Sequence, residues 1–287
     1  MMPSPATKFD PPALESRAST QALRVSHFRF APDARAGESV RRRFTQPRSM
    51  VAIEQPAEAL SMVKPWPETL DDLYVVLAST PLTSEARSKI DSWLAAPDHP
   101  DARPPLAVQL DAGTVRWRPG RAAAESAVDV CKDLVVALVE FSFFEGELRR
   151  LEQELVSHEA SASQDVTFAY QVGQADRTQW KRLGQTMVSI SRLRLTFARL
   201  EPGLRAASPS LPPDARKAIT RLIAGADVPS RLEAFDSRLE VCEDLYEGAV
   251  DRIADFRWYR NGERLEIAIV VLLVLEVILS AWGLRLR

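Results

Sequence analysis

A long aliphatic run close to the C-terminus constrains the fold of this chain more than any other feature. Residues 267–284 comprise eighteen positions, twelve of them Ile, Val or Leu, with Glu276 near the middle. As a helix this run is about 27 Å long, close to the hydrocarbon thickness of a bilayer. Its aliphatic residues contribute roughly −5 kcal/mol to insertion, against about +3 kcal/mol for one central charge. The run therefore predicts a transmembrane helix, and a buried core helix is the alternative.

Glu276 lies at the costliest depth of such a span, where a carboxylate is protonated or finds a partner. Ser280 and Gly283 follow it at helical spacings of four and seven, so the three residues form one stripe. Small and polar residues let helices approach and hydrogen-bond across the contact. The stripe predicts a helix–helix interface within the membrane. The alternatives are a protonated glutamate tolerated in lipid and an ion relay.

A heptad pattern precedes the aliphatic run, within a predicted neck helix at residues 229–266. Apolar residues recur there at alternating steps of three and four, the spacing of a coiled-coil seam. The seam consists of Phe235, Leu239, Cys242, Tyr246, Ala249, Ile253 and Phe256. No proline lies between the seam and the aliphatic run. The pattern predicts one continuous or lightly hinged rod that joins sister copies of the chain.

The rest of the chain divides into three parts. Residues 1–21 lack the apolar core of a signal peptide, and we expect a disordered leader. Residues 22–120 alternate short β-rich runs with one helical pattern and end in a predicted hairpin, which indicates a small α+β domain. Residues 121–228 read as long helices broken by prolines. The predicted fold class is α+β: a small N-terminal α+β domain followed by long antiparallel helices, the last running into one C-terminal transmembrane helix.

No motif in the sequence identifies a reaction. There is no Gly-rich phosphate loop and no nucleophile elbow. The three histidines, His27, His99 and His158, have no ligand set at metal-binding spacing. Cys131 and Cys242 are predicted to be buried, reduced thiols. We therefore predict that the protein is not an enzyme and has no catalytic, cofactor or metal site.

The formal net charge of −2 gives no general argument for nucleic acid as a partner. Two basic clusters, residues 41–43 and 116–121, contain the arginines that could contact RNA phosphates or lipid head groups. A solvated or locally salt-bridged surface is the alternative for both clusters. Nucleic acid is not an expected partner.

Two stretches carry a family resemblance. FDSRLEVCEDLYE at residues 235–247 and RLEIAIVVLLVLEVILS at residues 264–280 resemble the C-terminal signature of the required-for-meiotic-nuclear-division family, the YagE-type membrane proteins. The matching positions are Arg238, Leu239, Val241, Leu265, Glu266 and Glu276. The chain departs from the pattern at Asp236, Glu240 and Ile267, and lacks the family's aromatic stretch before the last helix. The chain thus looks like a divergent or shortened relative.

The resemblance implies a membrane-anchored, oligomer-forming protein. Eukaryotic relatives lie in the mitochondrial inner membrane and support mitochondrial translation, whereas bacterial relatives have no assigned activity.

Together these patterns predict a tail-anchored membrane protein that acts as an oligomeric scaffold or tether with a cytosolic head. The expected location is the bacterial inner membrane with the bulk of the chain in the cytoplasm, or the mitochondrial inner membrane in a eukaryote. The expected partners are the membrane and further copies of the chain. One alternative is a subunit or regulator of a larger membrane complex, and another is an enzyme whose site in the head has no local motif.

Overall fold

The computed structural model describes residues 23–56, 70–79, 82–95, 104–111, 113–170 and 177–285. The predicted leader at residues 1–21 lies outside the described residues. In the described part, strands occupy the N-terminal portion and long helices the C-terminal portion.

Seven strands form one mixed sheet, in the order β2-β3-β1-β4-β7-β6-β5. They are β1 (Arg24–Ala31), β2 (Ser39–Phe44), β3 (Met50–Pro56), β4 (Asp72–Ser79), β5 (Leu106–Leu110), β6 (Gly113–Arg118) and β7 (Arg121–Ser126). Neighbouring strands are antiparallel except β4 and β7, which run parallel. The predicted hairpin is confirmed as β5 and β6, in which Leu106 pairs with Trp117.

Helix α1 (Ser84–Leu94) lies on one face of the sheet, where Ile90 and Leu94 pack against Val25 and Val76. The sequence predicts Ser84 as the N-cap of this helix, but the cap lies one residue earlier, at Thr83, whose Oγ1 accepts a hydrogen bond from the Ala86 amide at 3.2 Å.

Helix α2 (Val128–Tyr170) covers the opposite face of the sheet. Alternate strand residues such as Phe28, Ala52 and Val75 project into a core with Leu134 and Leu138 of this helix. The first part of α2 is apolar nearly all round because the sheet lies on one side of the helix and other helices lie on the other side. The helices that contact α2 are α3 (Arg177–Arg205), α4 (Pro213–Gly225) and α5 (Val228–Arg285).

The sequence also predicts a helix at residues 178–200; the structure confirms it as α3 (Arg177–Arg205), which continues through Pro202. Helix α5 confirms the predicted continuous rod. Helix α4 was not predicted, because the two prolines before it were interpreted as the end of helical structure. Pro213 instead occupies the first helical position, where its missing N–H costs nothing. The sheet and helices α2 to α5 share one apolar core that extends from Phe28 to Tyr246.

The predicted transmembrane helix is wrong. No helix in the described part of the chain has both the length and the apolarity that a bilayer crossing needs. Where side chains are described, the apolar run covers residues 267–279, which is about 20 Å of helix against a hydrocarbon layer of about 30 Å. Glu276 interrupts this run, and Arg264 and Glu266 prevent its extension towards the N-terminus.

The other predictions that depended on that helix are wrong for the same reason. They are the C-terminal part of the fold class, the assignment as a tail-anchored membrane protein, and the location in a bacterial or mitochondrial inner membrane. The observed fold class is a seven-stranded sheet with long helices packed on it.

Candidate functional site

The heptad seam lies inside the chain. Phe235, Leu239, Cys242, Tyr246 and Ala249 are buried, and Ile253 is partly buried. These residues face helices α2 and α3 of the same chain: the Phe235 ring packs 4.7 Å from the Phe197 ring, and the Tyr246 hydroxyl donates to Asp165 Oδ2 at 3.0 Å. The side chain of Phe256 lies outside the described part. In this fold the described seam residues are therefore covered by their own chain.

Arginines on the rim of the seam fasten α5 to the neighbouring helices. Arg231 Nη1 lies 3.1 Å from Glu145 Oε1, and Arg231 Nη2 lies 2.8 Å from Glu152 Oε2, both on α2. Burial alone would lower the pKa of the Arg231 guanidinium, but Glu152 and Glu145 outweigh it, so the pKa lies above its ordinary value.

Two further arginines make similar ion pairs along the helix. Arg238 pairs with Glu159 of α2, and its hydrogen bond lowers the pKa of that carboxyl. Arg194 of α3 pairs with Glu243 and Asp236 of α5, and the hydrogen bonds to Glu243 and Asp236 raise the pKa of the arginine. The first half of α5 is thus part of the folded body, by which we mean the sheet, α1 to α4 and α5 as far as Ala249.

The second half of α5 is exposed. At residues 267–279 the large aliphatic side chains are between 49% and 68% exposed, at successive positions around the whole circumference. We call these residues the apolar segment. They present on the order of 1,000 Å² of aliphatic surface, whereas a monomer rarely exposes one apolar patch larger than a few hundred Å². A helix that is apolar all round is normally buried.

Of the residues in the predicted polar and small stripe, Glu276 lies within the apolar segment, and Ser280 and Gly283 lie beyond it. Glu276 is exposed, and it interrupts the aliphatic surface one turn before the end of the segment. Ser280 and Gly283 lie on the same helix, but their side chains lie outside the described part. Among the three stripe residues, only the environment of Glu276 is therefore described.

The polar residues that drew attention in the sequence are occupied by structural contacts. His27 on β1 lies 2.7 Å from Asp72 and stacks on Tyr74. His158 on α2 contacts Ser189 at 3.2 Å, and His99 lies outside the described residues. Within the described ranges, no group of three or more His, Cys, Asp or Glu is arranged to hold a metal ion.

The second basic cluster makes internal contacts. Arg116 Nη1 lies 2.6 Å from Asp91, and the buried Arg121 donates to the Trp93 carbonyl at 2.5 Å. In the first cluster, Arg41 pairs with Glu54 and Arg42 pairs with Glu140. These contacts favour the salt-bridged alternative for both clusters. Cys131 and Cys242 are free and buried, as predicted, and burial raises the pKa of both thiols.

A cleft that sequence reasoning missed lies between the start of α2 and the sheet. Its volume is about 220 Å³. The lining residues are Arg24, Arg41, Arg42, Glu54, Leu77, Cys131, Lys132, Val135, Val136 and Val139. They come from four strands and one helix, so no local pattern in the sequence could indicate that they meet.

No protein-family model matches this sequence, and no curated protein matches it. Solved structures do match. One is the full-length CmaX protein, with a TM-score of 0.34 and 11% identity over 87% of this chain and 83% of that one. Another is the ZntB cytoplasmic domain from Vibrio parahaemolyticus RIMD 2210633, with a TM-score of 0.26 and 10% identity over 85% of this chain and 99% of that one. Likeness at these TM-scores carries no argument about the fold or the function of this chain.

Proposed function

We propose that this protein is a homo-oligomeric scaffold, assembled by the apolar segment of α5 and displaying the folded body outwards. The observation that carries the proposal is the full circumference of exposed aliphatic side chains at residues 267–279. Contact with one other helix covers only a stripe of such a surface, whereas each helix in a bundle of three or more contacts at least two others and covers a larger part of it. We therefore expect a trimer or a larger closed assembly.

Identical copies suit this segment for two reasons. In a parallel arrangement each aliphatic layer meets its own equivalent, so apolar segments of equal length contact one another along their whole length. Glu276 then meets Glu276 at a single level, which favours one register because a shifted register would place the carboxylate among aliphatic side chains.

The stretch between the body and the apolar segment is compatible with parallel copies. Residues 252–266 form about 22 Å of helix, and the described side chains here are exposed or partly exposed. Their charges have mixed signs, for example Asp255, Glu263 and Arg264, so neighbouring copies do not present a block of like charge. This length gives the bodies room to lie around a central bundle.

Sedimentation analysis of the full chain tests the proposal. We expect a discrete assembly of three or more copies. A double variant, Leu272→Lys with Val274→Lys, places charges about 200° apart around the helix and should sediment as a monomer. The matched control is Val188→Lys with Val241→Lys, which charges two exposed valines of the body and should leave the assembly intact.

Three results would overturn the proposal. The first is a full chain that is monomeric in buffer, including one that associates only with added lipid vesicles. The second is an assembly whose mass includes a different protein in a fixed ratio. The third is a lysine double variant that assembles as the unmodified chain does.

A further inference from the structure

The cleft between α2 and the sheet combines an aliphatic floor with a cationic mouth. Leu77, Val135, Val136 and Val139 supply the floor. The cations in the lining are Arg24, Arg41, Arg42 and Lys132, against the single acid Glu54. The proposed assembly through α5 uses neither property. The residues that line the cleft lie between Arg24 and Val139, far in the sequence from the apolar segment.

The cleft is open because the sheet becomes polar where α2 remains aliphatic. On β1 the buried Phe28 is followed, two residues away on the same face, by Ser26, and on β3 the buried Ala52 is followed in the same way by Glu54, which pairs with Phe28. Ser26 Oγ donates to Glu54 Oε1 at 3.1 Å, which holds the carboxylate in place. The valines of α2 therefore meet no apolar row at this corner of the sheet, and space remains between the two layers.

The charges around the cleft do not balance. Glu54 contacts both Arg41 and Arg24, the latter at 3.6 Å. Glu140, just beyond the cleft, lies 2.7 Å from Arg42, and burial raises the pKa of this carboxyl despite the arginine. Lys132 has no hydrogen bond or ion pair within the part of the chain that the structure describes. Four cations thus face two acids, and the mouth carries an excess positive charge.

We propose that this cleft binds a single-chain anionic amphiphile, with its acyl chain on the aliphatic floor and its carboxylate or phosphate head beside Lys132 and Arg24. The volume of about 220 Å³ is below the roughly 300–1,000 Å³ of clefts that hold drug-sized ligands. From Lys132 to Val139 the cleft follows about 10 Å of α2. These dimensions suit one slender chain of medium length.

Isothermal titration of the full chain, below the micelle concentration of each probe, tests the assignment. The probes are decanoate, decyl phosphate and the neutral decanol. We expect saturable binding of one anionic probe per chain, at least tenfold weaker binding of decanol, and loss of affinity with added salt because the head is bound by charge. Comparing decanoate with decyl phosphate shows which head group the mouth prefers.

Two variants locate the binding. Lys132→Glu reverses an exposed charge at the mouth and should weaken decanoate at least tenfold, whereas Lys181→Glu, an exposed lysine of α3, should not. Val136→Trp fills the cleft and should abolish binding with the thermal unfolding transition intact. If that variant does not fold, Lys132→Glu alone decides the question.

The apolar segment of α5 also attracts amphiphiles, so the Leu272→Lys, Val274→Lys variant serves as a further control and should bind decanoate normally. Equal affinity for decanol and decanoate overturns the proposal. So does binding that is not saturable, or binding that Lys132→Glu leaves unchanged.

Discussion

Arg231 illustrates, at the scale of one residue, how the helical layer is held together. It contacts Glu145 and Glu152, and the Glu145 side chain is almost fully buried. Arg231→Met removes one cation from this carboxylate, and Arg149 remains as the other. We expect a loss of about 2–3 kcal/mol in the free energy of unfolding, because a buried charge loses part of its compensation.

Urea unfolding at neutral pH measures this loss. Arg205→Met is the control, since Arg205 pairs with Glu201 at an exposed position of α3 and should change stability by less than about 0.5 kcal/mol. Equal effects of the two substitutions would contradict the role given to Arg231.

Glu140 gives a prediction about pH. Burial raises the pKa of its carboxyl above the ordinary value near 4.5, so the folded chain holds this proton more tightly than the unfolded chain. Its contribution is most favourable below pH 4.5 and is lost as the pH rises through the raised folded pKa. Glu140→Gln, which cannot ionise, should match the unmodified chain near pH 4 and become relatively more stable as the pH increases.

Glu159 provides the opposite case for the same measurement. Its pKa is lowered by Arg238, so its contribution is present above pH 4.5 and is lost as the pH falls through the folded pKa. Relative to the unmodified chain, the free energies of unfolding of Glu140→Gln and Glu159→Gln should therefore change in opposite directions from pH 4 to 8. Parallel trends would contradict both assignments.

Among the helices and strands, those with a clear local sequence pattern were predicted correctly. The β5–β6 hairpin follows from strand alternation and α3 from its helical period, although α3 continues through Pro202. Helix α5 follows from its helical period and from the absence of proline between the heptad seam and the aliphatic run. The heptad of α5 correctly marks a buried face, but periodicity does not say which helix covers it. The buried face of α5 packs against α2 and α3, where the ion pairs of Arg194 and Arg231 join partners that are 42 to 86 residues apart in the sequence.

The contact between Gly203 of α3 and Phe144 of α2 gives a prediction about helix packing. At Gly203 of α3 an added Cβ would lie 2.5–2.8 Å from the ring of Phe144, which is itself packed against Phe44 and Phe143. Gly203→Ala should therefore cost about 1–3 kcal/mol through overpacking. Gly184→Ala on the same helix meets open space and should stabilise the chain by up to about 1 kcal/mol. Thermal unfolding should show a lower midpoint temperature for Gly203→Ala and a higher one for Gly184→Ala than for the unmodified chain.

For the whole molecule, composition along the chain was a poor guide to the environment of the aliphatic run. A hydropathy pattern does not distinguish a membrane span from a helix that packs with its own copies, because both bury an aliphatic circumference. The cleft was equally inaccessible to sequence reasoning. Its lining extends from Arg24 to Val139, and those residues meet only because β4 and β7 pair in parallel and α2 then returns across the sheet.

A truncated chain that ends at residue 262 distinguishes the roles of the two halves of α5. Where they are described, the side chains beyond this point are exposed, so their removal takes no contact away from the body. Urea unfolding of the truncated chain should be independent of protein concentration. For the full chain, association adds to stability by mass action, so its unfolding midpoint should rise with concentration. Extrapolated to high dilution, the free energies of unfolding of the two chains should agree within about 0.5 kcal/mol. A truncated body that remains less stable at every concentration would show that the apolar segment folds back on its own chain.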